Sequence, residues 1–237
     1  MKKALILGAG GFIGSHMVSR LKSEDYYVVG VDIKHPEFSK TKADKFYICD
    51  LTNKLEFNEI IANETRFTEI YQYAADMGGA GFIFTGENDA KIMHSSISIN
   101  LNLLSIIEDN YKNFDGVKIF YSSSACIYPQ QIQETSSNPG LKEEYAYPAN
   151  PDSEYGWEKL FSERLYLSFN KNFNLEVRIA RFHNVYGPEG TWDGGKEKVP
   201  AAVCRKVAQA SKSDQIEIWG DGKQTRSFLY IDDCIEA

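Results

Sequence analysis

The chain has 237 residues, 43% of them hydrophobic and 25% charged, with a formal net charge of −7. That composition excludes a disordered, collagen-like or low-complexity chain. The acidic balance excludes the broad Lys/Arg surface on which nucleic-acid binding depends, but not a local cationic cluster around one anionic ligand.

Four cysteines, Cys49, Cys126, Cys204 and Cys234, form no CxxC pair and match no zinc spacing. They read as reduced thiols of a cytoplasmic protein, most of them small buried hydrophobes, and no metal is expected. Lys2 and Lys3 ahead of Ala4-Leu-Ile-Leu7 mimic the start of a signal peptide, but Gly8 to Gly11 interrupts the apolar run. No stretch reaches ~18 apolar residues, so no membrane helix is expected.

In chain order, the apolar run within residues 1–7 suits a strand buried on both faces. Phe12 to Leu21 reads as a helix and Tyr26 to Asp32 as a second strand. Phe46 to Cys49 is a third strand, and a helix over residues 54–63 follows. Glu69 to Ala74 is a fourth strand. Lys91 to Tyr111 has helical periodicity, with Ile97, Leu101, Leu104 and Ile107 on one face. Val117 to Tyr121 is a fifth strand, Ser153 to Asn170 a helix, and Leu175 to Ala180 a sixth strand. This alternation predicts an α/β fold, a Rossmann-type doubly wound parallel sheet with helices on both faces. After about residue 186 the chain grows rich in Gly and Trp and reads as a loop-rich segment layered on the sheet. At the end, Asp232 or Asp233 is expected to cap a helix.

Gly8, Gly11 and Gly14 are spaced GxxGxxG between the first strand and first helix, with Phe12 and Ile13 opening that helix. A tight turn, a close backbone approach to a pyrophosphate and close helix packing are the needs such glycines meet. The phosphates then face a helix N-terminus, where free N–H groups and the dipole favour anions. Asp32 ends the second strand, where a carboxylate accepts from a ribose 2′-OH and repels a 2′-phosphate, so NAD is the expected cofactor. Lys34 weakens that preference slightly. Asp50-Leu51 suits contact with the adenine, and equally a helix cap.

Tyr155-Gly-Trp-Glu-Lys159 places Tyr and Lys at i and i+4, on one helical face. A tyrosine titrating near pH 10 needs a neighbouring ammonium before it can act as a base near neutrality. Together with the upstream glycine turn, this set resembles the extended short-chain dehydrogenase/reductase family. The resemblance implies that Tyr155 is the acid/base and that Lys159 binds the nicotinamide ribose. It makes Ser124, in Tyr121-Ser-Ser-Ser-Ala-Cys-Ile-Tyr-Pro129, the third member, and it puts Asn184 on the diphosphate of a nucleotide-sugar substrate.

The runs Tyr73–Phe82, Ser123–Pro129, Arg181–Pro188, Gly190–Lys198 and Trp219–Phe228 resemble, over nearly the whole chain, the branch of that family that epimerises GDP-hexoses at C3 and C5. Cys126 and Lys198 are the discriminating residues. Once C4 is oxidised to a ketone, the C3 and C5 protons become acidic. One group must then take a proton from one ring face and another return it to the opposite face. A Cys126 thiolate can be the base if a cation lowers its pKa, with Lys198 as the acid. Without the resemblance, Cys126 reads as a packing residue and Lys198 as a solvated lysine. Glu197 lies in the same Gly-Gly-Lys-Glu-Lys run. Arg226 is the best bidentate grip for a diphosphate, with Arg205 and Lys206 assisting, although Lys206 fits a plain helix surface as well. Gly78 and Gly79 suit either a close approach of the sugar or a flexible loop. His183 reads as structural, packed beside strand six.

Other members of the family remain alternatives: a 4-epimerase, in which Cys126 would be idle; a 4-reductase; or a 4,6-dehydratase, which usually carries an acidic pair where Ala125-Cys126 stands. A non-catalytic NAD-binding module is a further alternative. By resemblance, residues 1–185 form the NAD-binding domain, residues 186–225 part of a smaller and truncated substrate-binding region, and residues 226–237 return to the first domain. The remainder would close over the nucleotide, so a fragment should bind NAD yet handle sugar poorly. A homodimer built through the helices at 91–111 and 153–170 is the expected assembly.

Overall fold

Lys3-Ala-Leu-Ile-Leu7 lacks the polar alternation of a half-exposed strand, and the structure places it at the sheet centre with Ala4 to Leu7 fully buried. The computed structural model describes residues 1–64, 66–134, 140–218 and 220–237. Its elements are β1 (Lys3–Leu7), α1 (Phe12–Ser23), β2 (Tyr27–Asp32), β3 (Lys45–Ile48), α2 (Lys54–Asn63), β4 (Glu69–Gln72), α3 (Ala80–Ile83), α4 (Asp89–Asp109), β5 (Lys118–Ser124), α5 (Glu154–Phe173), β6 (Glu176–Phe182), β7 (Asn184–Tyr186), α6 (Val199–Gln209), β8 (Phe228–Tyr230) and α7 (Ile231–Glu236).

The main sheet is parallel throughout, in the order β3-β2-β1-β4-β5-β6. The strand order leads one way from β1 and then, from β4, the other, which opens a crevice at the carboxyl ends of β1 and β4. A larger core lies beneath α2, α4 and α5, including Leu5, Phe57, Leu104 and Tyr166. A smaller one joins α1 to the opposite sheet face through Ile6, Val18, Leu21 and Val28.

β5 runs three residues further than Tyr121. Ser122, Ser123 and Ser124 pair with Ala180, Arg181 and Phe182 of β6. Serines are weak strand formers, but these are buried with polar partners: Ser122 Oγ donates to Gln72 O (3.0 Å) and Ser123 Oγ to Glu163 (2.5 Å). Two readings of helices need correction. On α4, Leu104 and Ile107 are buried but Ile97 is only half-buried and Leu101 is 45% exposed, because the inward arc runs through Ser96, Asn100 and Leu103. At the end of the chain, Asp232 and Asp233 sit in the first turn of α7, and the position before it is Tyr230, with no side-chain cap.

β7 and β8 form a separate two-stranded parallel sheet. α7 then packs on α1, through a cluster of Val185, Ile231 and Cys234 with Phe12 and Ile13, and through an ion pair from Arg20 to Glu236 (2.5 Å). The segment read as loop-rich contains α6. All four cysteines are free, but Cys204 on α6 is exposed rather than buried. His183 is likewise exposed rather than packed. Among the described residues no helix is long and apolar enough to cross a membrane, and no group of three or more acids, His or Cys could hold a metal ion.

Glu64, buried at the end of α2, accepts from Lys3 Nζ (2.8 Å), Lys45 Nζ and Tyr47 Oη (2.7 Å). Although its burial opposes the charge, these donors and the Lys3 charge hold its carboxyl down at about 2 against an ordinary 4.5. A carboxyl lowered in the folded state stabilises the fold above its unfolded pKa and loses that contribution as pH falls towards the folded value. The fold should therefore lose about 3 kcal/mol between pH ~5 and ~2 through this one group. Urea unfolding of wild type and Glu64→Gln across that range checks it: the Gln variant should be weaker near pH 7 and show a flatter acid limb.

Candidate active site

The β1–α1 turn is held before any ligand arrives. Gly8 takes φ +83°, its N–H donates to Val31 O (2.9 Å), and Gly11 N–H donates to Gly8 O (3.1 Å). Gly14, one helical turn on, lies so close that a Cβ there would meet Gly8 O at 2.1 Å. Gly11 stands at the N-cap of α1 with no side-chain cap, which leaves the first N–H groups of the helix directed at the crevice. Asp32 Oδ2 accepts from Gly10 N–H (2.9 Å) and Oδ1 from Lys34 N–H (3.2 Å). The turn and the acid at the end of β2 thus form one unit, and these residues fit an NAD dinucleotide.

A depression of about 370 Å³ opens beside this turn, between Gly10, Phe12, Lys34, Phe38 and Glu189. Asp50 is not the helix cap of the alternative reading but holds a local turn ahead of α2. Asp50 accepts from the N–H and Oγ1 of Thr52 (2.9 and 2.8 Å), and the Leu51 side chain is buried in the main core. Asn53, not Asp50, caps α2.

Tyr155, Lys159 and Ser124 converge. Ser153 caps α5 by accepting from Gly156 N–H (3.2 Å), which starts the helix one residue before Tyr155. Tyr155 and Lys159 then project from one face, both buried. Ser124 is the neighbour that favours ionisation of Tyr155, and its Oγ accepts from Cys126 N–H (3.2 Å). Lys159 Nζ donates to Ser122 O (3.1 Å) and lies 5.7 Å from the centre of the Tyr155 ring.

The electrostatics differ from the sequence reading. Burial lowers Lys159, which the charges of Glu158 and Glu163 only partly restore. Burial, aided by Cys126 and Glu158, drives Tyr155 far above the usual phenol range, with Ser124 opposing. Lys159 as placed is spent on Ser122 and its acidic neighbours, so it does not by itself make Tyr155 a base near neutrality.

Cys126 occupies a 3-10 turn, Ala125–Ile127, at the exit of β5, packed near Tyr155, Met77, Phe82, Ile83 and Ile92. Lys198, at the N-cap of α6, acts on its sulfur, and each charge favours the other. The structure therefore brings together the two residues singled out 72 positions apart in sequence. A thiolate does not result. Burial first, then Asp152, pushes the Cys126 thiol up to about 11, against the downward pull of Ser124 and Lys198.

Lys198 is delivered by two interlocked loops. Gly79 N–H donates to Lys196 O (3.0 Å), and a Cβ on Gly79 would stand 2.2 Å from Glu197 O. Lys196 Nζ reaches Asp76 (3.5 Å) and lies over the Phe82 ring (4.0 Å). Gly79 is thus needed for loop-to-loop contact, while Gly78, also buried, abuts Phe82.

The other residues expected at the substrate are less concentrated. Glu197 accepts from Gly195 N–H (2.6 Å) and from Arg205 (2.8 Å), so Arg205 is engaged by an acid and by Trp192 O (3.0 Å). Lys206 donates to Glu217 O (2.7 Å) on the surface. Asn184 bonds Ser227 O (3.3 Å) across the β7–β8 pair. Arg226 is exposed, and its charge acts on Asp152 beside Cys126. Trp219, which begins the run ending at Phe228, lies outside the described residues.

Sequence reasoning missed Asp152, Glu158, Glu163 and Arg181 as parts of this site. Glu158 is fully buried below Tyr155, accepting from Ser162 Oγ (2.9 Å) and Asn100 Nδ2 (3.4 Å). Its adjacency to Lys159 was the available signal, since a charged residue on the inward arc of a helix demands partners.

Comparison with known proteins agrees with this arrangement. The chain is 46% identical to a GDP-mannose 3,5-epimerase of Arabidopsis thaliana, over 99% of this chain and 60% of that protein. It is also 46% identical to GDP-mannose 3,5-epimerase 1 of Oryza sativa subsp. indica, over 98% of this chain and 59% of that one. The chain therefore spans about three-fifths of the length of these relatives. Among solved structures, the UDP-glucose 4-epimerase of Thermotoga maritima, with UDP-glucose, superposes with a TM-score of 0.81 at 25% identity, covering 99% of this chain and 71% of that one. UDP-glucuronic acid 4-epimerase of Bacillus cereus, with UDP-glucuronic acid and NAD, gives 0.73 at 27% identity, covering 98% and 70%. The model of the NAD dependent epimerase/dehydratase family matches residues 4–237, and with the glycine turn, Asp32 and the Ser124/Tyr155/Lys159 set in place, this chain belongs to that family.

Proposed function

We propose that this chain carries the chemistry of an NAD-dependent nucleotide-sugar epimerase that oxidises a hexose at C4, inverts C3 and C5, and restores C4. GDP-mannose is the proposed substrate and GDP-L-galactose the proposed product. The observation that carries this reading is the meeting of two chemical sets in one place: Ser124, Tyr155 and Lys159 for the C4 hydroxyl, and Cys126 with Lys198 for the ring protons. A 4-epimerase needs only the first set. The 46% identity to proteins named for the 3,5-epimerisation supports the choice of sugar and base.

NAD, when bound, accepts the hydride from C4 and returns it. Tyr155 holds and moves the proton of the C4 hydroxyl, with Ser124 fixing the phenol direction. Lys159, hydrogen bonded at Ser122 O beside Tyr155, is the proposed contact for a cofactor ribose. Cys126 and Lys198 exchange protons with C3 and C5 of the keto sugar. The apolar wall of Met77, Phe82, Ile83 and Ile92 keeps water from competing for those protons. Arg226 is the proposed anchor for the diphosphate, and Asn184 a second contact.

The exposed apolar side chains Leu101 of α4 and Trp157, Phe161 and Leu167 of α5, 40–47% exposed, support a homodimer joined through these two helices. Free cysteines, two of them buried, are consistent with a cytoplasmic location.

The test is incubation with GDP-mannose and NAD in heavy water, with deuterium located by NMR. Wild type should label C3 and C5. Cys126→Ala should still exchange hydride at C4 yet incorporate at least a hundredfold less deuterium at the ring carbons. Normal incorporation by that variant would remove Cys126 from the mechanism.

A further inference from the structure

Asp76 joins three parts of the fold. Its N–H donates to Ser96 Oγ (3.2 Å) and its carboxylate pairs with Lys91 (3.3 Å), both on α4. The same carboxylate pairs with Lys196 (3.5 Å), on the segment that leads into α6. The Asp76 side chain is only 15% exposed, so its charge needs these cations. Lys196 grips the 76–83 segment in two further ways. Its Nζ lies 4.0 Å from the centre of the Phe82 ring, and its carbonyl accepts from Gly79 N–H (3.0 Å). A lone exposed ion pair would contribute little, but here a shielded carboxylate, a ring face and a backbone bond act together. Both segments end at the site. Met77 and Phe82 pack with Cys126 around Ile83, Ile92 and Tyr155. Lys198, two residues beyond Lys196, is the N-cap of α6. No residue of α6 is buried, and the bonds of its Arg205 and Lys206 run to Trp192, Glu197 and Glu217 of its own segment. α6 therefore has no core of its own to fix where Lys198 stands.

We propose that Lys196 is a positioning residue for Lys198, latched by Asp76 and Phe82 so that the start of α6 is held against the wall of the Cys126 pocket. The proposal rests on the reading of Cys126 and Lys198 as the groups that exchange protons with C3 and C5. The latch serves that step and not the one at C4. Ser124, Tyr155 and Lys159 are carried by β5 and α5, which are fixed by the Ser153 cap and the Lys159 bond to Ser122 O, and neither contact involves the latched segments. Opening the latch lets Lys198 drift from the ring protons while the C4 set stays in place. Proton exchange at carbon depends steeply on the placement of the donor and acceptor, so a small drift is costly. Lys196 thereby helps decide whether the keto sugar is epimerised at C3 and C5 before C4 is reduced again.

The test has two readouts on the full chain. Amide hydrogen exchange, resolved to the Gly79 N–H by mass spectrometry of peptides within residues 76–83, follows the latch directly and needs neither sugar nor NAD. In Lys196→Gln that amide should exchange about tenfold faster than in wild type, with β4 and α4 unchanged. Asp76→Asn should move it in the same direction, and Lys196→Arg, which keeps the cation, should leave it as in wild type. The second readout is incubation with GDP-mannose and NAD in heavy water. Lys196→Gln should place about tenfold less deuterium at C3 and C5, while hydride exchange at C4 stays within about twofold of wild type, and Lys196→Arg should restore the labelling. Unchanged Gly79 exchange in Lys196→Gln, or equal losses at C4 and at the ring carbons, would overturn the proposal. A wild-type chain that labels no ring carbon would count against the reading of the site itself, and a failure of the latch, read by amide exchange alone, is separable from it.

Discussion

Gly14→Ala should weaken NAD binding by on the order of 100-fold, about 2.7 kcal/mol, when titrated by calorimetry against wild type. The added Cβ would lie 2.1 Å from Gly8 O, 2.8 Å from Gly8 C and 3.0 Å from the Ala9 Cα. All three atoms are backbone, so no side-chain rotation relieves the overlap. α1 would have to withdraw from the turn, and the N–H groups at its N-terminus would leave the seat they offer a pyrophosphate. Overpacking of this kind also costs about 1–3 kcal/mol of stability. Calorimetry separates the two effects, since a merely destabilised protein that still folds would bind NAD as wild type does. Binding within twofold of wild type would mean that the dinucleotide does not use this turn.

Arg181→Leu should cost about 3–5 kcal/mol of unfolding free energy in urea, because it strands a buried carboxylate. Arg181 grips both oxygens of Glu163, through Nε to Oε1 (3.0 Å) and Nη2 to Oε2 (2.9 Å). Its Nη1 also donates to Tyr128 Oη (3.1 Å) and Glu143 O (2.8 Å). The Glu163 side chain is 5% exposed and that of Arg181 only 19%. Replacing both by Leu should recover much of the loss, since an apolar pair carries no desolvation penalty. The effect should reach the site as well, because Glu163 also holds Ser123, one residue before Ser124. A loss below 1 kcal/mol in the single variant would show that water reaches Glu163 in solution.

How much of this was legible in the sequence follows from the range of the forces involved. The strand–glycine–helix–strand–acid order is local. Asp32 accepts from Gly10, 22 residues upstream, Gly11 bonds Gly8, and Gly14 packs on Gly8, so the cofactor seat could be read from spacing. Tyr155 and Lys159 could be read because one helix determines their relative direction. Cys126 and Lys198 were found only through the family resemblance, since nothing local to either marks the other. Arg205 shows the converse limit. Its charge suggested a diphosphate, but a nearby Glu197 and Trp192 claim it.

By itself, then, the sequence determined the parallel order of strand and helix, the glycine turn with its acid, and the helical Tyr/Lys pair. These depend on periodicity, steric demand and neighbours within a few turns. Only the tertiary structure decided which carboxylates are buried, which cations are already paired, and what protonation state Cys126 holds. Those properties come from desolvation and from charges contributed by β5, the start of α5 and the N-terminus of α6, and the low local dielectric makes each contact count far more than it would on an exposed chain. Whether Cys126 can act as a base is therefore a property of how Asp152 and Lys198 are packed around it.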